Sequence, residues 1–312
     1  MTCSLGVSMF FTLMLKVLPA YVAILLGFVA GRVVKLDCAT IGKLLFYCIG
    51  PIVVFFGILK IHITPELVFL PVITFVICCT MSLVVYSVSS LVLRDHMRNM
   101  LAFSSGSSSM GFFGLPVAIA LFDESAVSIY LLCYVGMLFF ENSFGFYIAT
   151  SGLYTPRQCL KKLITLPIFH AAVVALVCNH FEVRVPEFLL RVSTDLASTY
   201  MVLGTMLLGI SVANIKDFAI NWKLMALTVL IKYVAWPLLA LLLIFLDRNG
   251  PRLYDSQVYQ ALILLAIIPI SSTGVILAHT TSYKPDVAAI MLLISTVIGI
   301  FYVPFMISLL LY

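Results

Sequence analysis

Ten apolar runs, each about the length of a membrane span, follow one another along this 312-residue chain, with only short polar connections between them. A helix needs about 20 mostly apolar residues to cross the hydrocarbon core of a bilayer. The runs fall at 10–33, 41–61, 67–92, 99–122, 126–150, 163–180, 190–213, 222–246, 257–280 and 286–311. Such a pattern excludes a water-soluble domain. Hydrophobic residues make up 63% of the chain and charged residues 10%, against about 25% charged in soluble proteins, so no polar shell is left to face water. The expected fold class is an all-α membrane protein of ten transmembrane helices.

The connections carry turn chemistry, as at Thr64-Pro65, Thr155-Pro156, Val185-Pro186, Asn249-Gly250-Pro251 and Lys284-Pro285. They also set the orientation, because cytoplasmic loops are rich in Lys and Arg. The odd-numbered connections hold eleven basic residues: Arg32, Lys35, Lys43, Arg94, Arg98, Arg157, Lys161, Lys162, Lys216, Lys223 and Lys284. The even-numbered ones hold five: Lys60, Arg184, Arg191, Arg248 and Arg252. A multi-pass protein of the cell membrane, with both termini non-cytoplasmic, is expected. The first charge is Lys16, so the basic start of a cleavable leader is missing and 10–33 reads as a retained span.

Several function classes drop out. The net charge of +5 comes from basic residues scattered singly, which is no footprint for nucleic acid. The eight cysteines form no CxxC pair, and Cys78-Cys79 are adjacent within an apolar run, where neighbouring helical positions do not face each other. Neither a disulfide framework nor a metal site is expected. With no GxxxxGK[ST], HExxH or GxSxG and no pair of membrane-embedded aspartates, neither a cofactor nor an enzymatic activity is expected.

Two runs are interrupted. The fourth contains Ser104-Ser105-Gly106-Ser107-Ser108-Ser109-Met110-Gly111-Phe112-Phe113-Gly114-Leu115-Pro116, and the ninth contains Ile268-Pro269-Ile270-Ser271-Ser272-Thr273-Gly274. Proline removes a backbone donor and clashes with the preceding turn, and broken helices at membrane depth persist only where protein or a water-lined cavity satisfies the freed groups. The interruptions lie five runs apart. They divide the chain into two five-helix repeats, 1–150 and 151–312, each broken in its fourth helix. An odd number of spans per repeat makes the repeats inverted, and matched broken helices in inverted repeats point to a transporter's binding site. Ser107, Ser108, Ser109, Gly111, Pro116, Pro269, Ser271, Ser272 and Thr273 are the candidate substrate contacts.

Ionisable side chains inside a membrane mark function by default. Lys232 lies about ten residues into the eighth run, roughly 15 Å deep at 1.5 Å per residue. Glu141, followed by Asn142, lies at matching depth in the fifth run and is the natural counter-charge. Lys16 sits near an interface and can snorkel. His170 and His279 fall near run ends, where interfacial roles are the simpler reading. Phe140, Tyr200, Tyr233, Trp236 and Tyr302 read as packing or interface anchors.

The order and spacing of several short motifs resemble the auxin efflux carrier family, which includes plant PIN-type carriers and bacterial permeases. They are Leu25-Leu26-Gly27-Phe28, Lys35-Leu36-Asp37 and Phe46-Tyr47-Cys48-Ile49-Gly50-Pro51, then Gly111-Phe112-Phe113-Gly114-Leu115-Pro116 and Leu208-Gly209-Ile210-Ser211. The final two runs add Ile268-Pro269, Leu277-Ala278, Tyr283, Asp286, Ser295-Thr296 and Pro304, so the likeness covers nearly the whole chain. The resemblance implies the architecture of sodium/proton antiporters and bile-acid symporters. Spans one, two, six and seven would form a scaffold, and the other six a core in which broken helices four and nine cross. It also implies a homodimer, small organic anions as substrates, and an acid on the fifth helix paired with a lysine on the eighth. One departure stands out: Ser109 and the Thr273-Gly274 region replace asparagines common in that family.

The function expected from these readings is secondary active transport of a small organic anion, such as a carboxylate, by alternating access. Helix N-termini at the breaks, together with Lys232, favour negative charge. Protons or sodium would supply the coupling and the lipid bilayer the surroundings. The alternative is a membrane-embedded sensor that binds a small molecule or sterol without moving it.

Overall fold

The computed structural model describes residues 2–60, 64–93, 96–150, 154–215, 220–280 and 283–310, and every regular element among them is helical. Arg94 and Lys216 lie outside the described residues, as do the side chains of Lys162 and His279. The first half comprises α1 (Thr2–Val33), α2 (Cys38–Leu44), α3 (Gly50–Leu59), α4 (Pro65–Val68), α5 (Leu70–Ser89), α6 (His96–Gly106), α7 (Leu115–Leu121), α8 (Glu124–Asn142) and α9 (Phe144–Ala149). The second comprises α10 (Pro156–Ile164), α11 (Pro167–His180), α12 (Glu187–Ala213), α13 (Trp222–Leu230), α14 (Trp236–Asn249), α15 (Ser256–Ile267), α16 (Thr273–Thr280) and α17 (Pro285–Leu310).

Among the described residues, six helical stretches are long and apolar enough to cross a bilayer: Thr40–Leu59, Glu66–Ser89, Glu124–Ala149, Glu187–Ala213, Trp222–Asn249 and Pro285–Leu310. Leu18–Val33, Pro167–His180 and Ser256–Ile267 are shorter apolar helices. Large apolar side chains such as Leu25, Val88, Leu238 and Phe245 are exposed on the outside, where only lipid can accept a surface so apolar. The chain is an all-α membrane protein.

Three helices widen ahead of a proline. π-helical turns at Leu45–Ile49, Met110–Gly114 and Ile231–Ala235 are followed by Gly50-Pro51, Leu115-Pro116 and Trp236-Pro237. In each, the N–H just before the proline reaches back five residues, from Gly50 to Leu45 O, Leu115 to Met110 O and Trp236 to Ile231 O. A proline ring clashes with the carbonyl four residues earlier. The extra residue of a π turn relieves that clash while the helix continues.

The chain also departs from the expected runs. The connection before the sixth run forms a separate amphipathic helix, α10, with Arg157 and Lys161 exposed and Cys159 buried. The fifth run is interrupted at Ser143, whose φ and ψ of −122° and −95° separate α8 from α9. No proline or glycine stands at that position.

Packing sets α1 along α12 and α3 against α11. Reciprocal glycines make the first contact close: a Cβ on Gly27 would lie 2.0 Å from Met206 O, and one on Gly209 would lie 1.9 Å from Ile24 O. Helix α8 is buried along most of its length, packed by α5, α15, α7 and α3. It forms the floor on which the two interrupted helices meet.

Candidate functional site

The interruptions at Ser107–Ser109 and at 268–272 join directly, because the N–H of Ser109 donates to Pro269 O at 2.9 Å. Ser107, Ser108, Ser109, Ser271 and Ser272 are all buried there. Buried backbone groups need partners, and neighbouring helices supply them. Tyr130 OH donates to Met110 O at 3.0 Å, Trp236 Nε1 to Ser105 O at 2.6 Å, and Ile270 N–H to Ser295 Oγ at 3.0 Å. Two interrupted helices thus share one polar knot inside an apolar protein. The chain is similar to a transporter.

That relative is an uncharacterized transporter of Methanocaldococcus jannaschii, 25% identical over 168 residues. The match covers 52% of this chain and 54% of the relative, so the chain spans about half the length of the curated relative it matches. No family model matches the chain.

On one side of the knot, Lys232 is 1% exposed. Its ammonium donates to Ser108 Oγ and, at 3.2 Å, to Leu265 O, and it lies 4.9 Å from the centre of the Trp236 ring. Ser108 Oγ also reaches Leu265 O at 3.4 Å. Lys232 therefore staples the first break to the end of α15. The π turn at 231–235 carries it, and Trp236 follows one helical turn later, where i and i+4 side chains share a face.

On the other side, Glu141 ends α8 and is 2% exposed. Thr273 Oγ1 donates to Glu141 Oε2 at 3.0 Å, and Ser271 Oγ donates to Thr273 Oγ1 at 3.0 Å. The second oxygen, Oε1, has no protein partner, and neither do Ser107 Oγ and Ser109 Oγ. Asn142 donates through Nδ2 to Leu138 O at 3.0 Å.

Lys232 and Glu141 do not form the expected ion pair. Among the described residues the ion pairs are Lys60–Glu124 at 3.3 Å and Arg191–Glu187 at 2.7 Å. Lys232 spends its donors on the first break and Glu141 accepts from the second, so matched depth does not bring the two together. Gly111 lies in the π turn, where Tyr134 OH and Tyr200 OH, 3.2 Å apart, would stand 2.6 and 2.8 Å from any added Cβ. Pro116 opens α7, and Pro269 contributes its carbonyl. His170, exposed and bonded to Leu166 O, lies outside the knot.

A cavity of about 480 Å³ reaches the knot from the Glu141 side, within the roughly 300–1,000 Å³ range of small-molecule sites. Glu141, Asn142 and Thr273 line it together with Lys43, Gln158 and Tyr154. Lys43, Tyr154 and Gln158 are exposed. Among the described residues, no group of His, Cys, Asp and Glu could hold a metal ion. The sequence reading missed the roles of Tyr130, Tyr134 and Ser295, and of Met137, whose Sδ accepts from Ser108 N–H at 3.2 Å. Only Trp236, four residues after Lys232, carried a spacing that could have marked it.

Proposed function

We propose that this chain is a secondary transporter of the auxin-efflux-carrier type, moving a small organic carboxylate by alternating access, with the joined breaks as its site. The observation that carries the reading is the Ser109–Pro269 backbone bond beside three buried side-chain oxygens without protein partners, on Ser107, Ser109 and Glu141. Buried polar atoms are normally hydrogen-bonded, so unpartnered ones at a helix crossing suit a site whose ligand completes them. Similarity to a transporter supports the same class.

The ten-span, inverted-repeat architecture belongs to this reading. Six continuous spans, the broken pairs α6–α7 and α15–α16, and α1 and α11 make ten. Packing is also consistent with an exchange of repeats 1–150 and 151–312. Span one lies on span seven (α1 with α12) and span two on span six (α3 with α11); exchanging the repeats turns each pair into the other. Those four spans form the scaffold, and the crossing helices move against it. The cavity beside Glu141 then faces the cytoplasm, with both termini outside. Glu141 is the candidate for proton or sodium coupling.

Counterflow tests the reading. Purified protein in sealed vesicles preloaded with an unlabelled carboxylate should accumulate the labelled compound transiently. Ser109→Leu and Thr273→Leu should abolish this while the folded protein survives in detergent. Binding without counterflow would favour a membrane sensor instead, and normal counterflow in both variants would remove the crossing from the site.

A further inference from the structure

The wall of the 480 Å³ cavity carries two oppositely charged side chains, Glu141 at the knot and Lys43 at the exposed end. Lys232 does not line it; its donors are spent on Ser108 and Leu265. A carboxylate ligand therefore has Lys43, not Lys232, as its counter-charge. The inner end is dominated by the Glu141 carboxyl. Glu141 Oε1 is unpartnered, and Asn142 uses one amide hydrogen on Leu138 O, leaving its oxygen as an acceptor beside one remaining N–H. Thr273 uses its hydroxyl hydrogen on Glu141 Oε2. Acceptors call for a donor-bearing group, and a carboxylate placed there would meet like charge. An ammonium offers three donors and the opposite charge. Phe146 and Leu277 add apolar surface to the same wall.

We propose that the cavity takes a zwitterionic amino carboxylate with an apolar or aromatic body, its ammonium on Glu141 and Asn142 and its carboxylate toward Lys43. The inference rests on the carrier reading for the site's purpose, and binding alone can test it.

The test is the thermal stability of the purified protein, since a ligand that binds the folded state raises it by mass action. Three matched series serve as probes: the apolar and aromatic standard amino acids, their deaminated carboxylates, and their decarboxylated amines. At least one amino acid should stabilise the wild type at a concentration at least about tenfold below either of its analogues, because a site built to bond a group rejects ligands lacking it. Glu141→Gln should shift preference toward the deaminated carboxylate by about tenfold. Lys43→Gln, at an exposed position, should weaken amino acid and carboxylate but not amine. If Glu141→Gln fails to fold, the wild-type ranking and Lys43→Gln still decide. A deaminated carboxylate that matches or beats its amino acid would overturn the zwitterion and leave the anion carrier standing. An amine that binds best, regardless of Lys43, would overturn both. No stabilisation by any of the three series would overturn the zwitterion, while counterflow with other carboxylates would still report on the carrier.

Discussion

The two sides of the crossing hold one buried charged residue each, and they are finished differently. Lys232 has two hydrogen bonds and an aromatic ring beside it and does not line the cavity. Glu141 has one bonded oxygen, one unpartnered oxygen and a place on the cavity wall. Two hydrogen bonds and a ring contact suit a structural joint, whereas an unpartnered oxygen beside open space suits the proposed ligand contact. The resemblance treats the pair as one functional unit; the geometry separates them, with Lys232 bonded to the first break and Glu141 on the cavity wall, where we propose that the ligand binds.

The largest stability effect should therefore fall on the staple. Lys232→Met leaves Ser108 Oγ and Leu265 O with fewer donors, at about 1–3 kcal/mol for each buried group left unsatisfied, and should lower the midpoint of thermal unfolding clearly. Trp236→Phe keeps the ring but removes the donor to Ser105 O, and should cost about 1–2 kcal/mol in the same measurement. Glu141→Gln keeps an acceptor for Thr273 and should change stability by less than about 1 kcal/mol, while ligand-induced stabilisation falls. The double variant Lys232→Met with Glu141→Gln sharpens the comparison further. The two residues share no partner, so their losses should add within about 0.5 kcal/mol; recovery in the double variant would show that they do touch. The smallest effect belongs to Ser107→Ala, which removes a hydroxyl with no protein partner and should leave stability within about 0.5 kcal/mol of wild type.

The apolar runs gave helix positions to within a few residues at most ends, because burial in lipid is a length-and-composition requirement that sequence carries directly. Both main interruptions were legible for a similar reason: Ser107–Ser109 and Pro269 sit among residues that cannot sustain a mid-membrane helix. The π turns were not read, although Pro51, Pro116 and Pro237 stood in view, because a proline in a run does not say whether the helix breaks, kinks or widens. The bend at Ser143 had no breaker residue to announce it. The pairing of Lys232 with Glu141 failed on geometry. Counting residues along a helix gives depth but not the direction a side chain faces across the bundle. Partners from distant segments, such as Leu265 O for Lys232 and Thr273 for Glu141, follow only from the packed fold. Helix α10 was passed over as a connection because its apolar face is short, although Arg157 and Lys161 already lay one turn apart.

The difference between the two sides can be read directly with single cysteines in a background whose native cysteines are replaced. Cysteine at Thr273, on the cavity wall, should react with a small water-soluble thiol reagent added from the Lys43 side, and a ligand that stabilises the protein should slow that reaction. Cysteine at Ser108, enclosed by Lys232 and Leu265, should react far more slowly and show no ligand protection. Equal labelling at the two positions, or ligand protection at Ser108 rather than Thr273, would contradict the division into staple and ligand face.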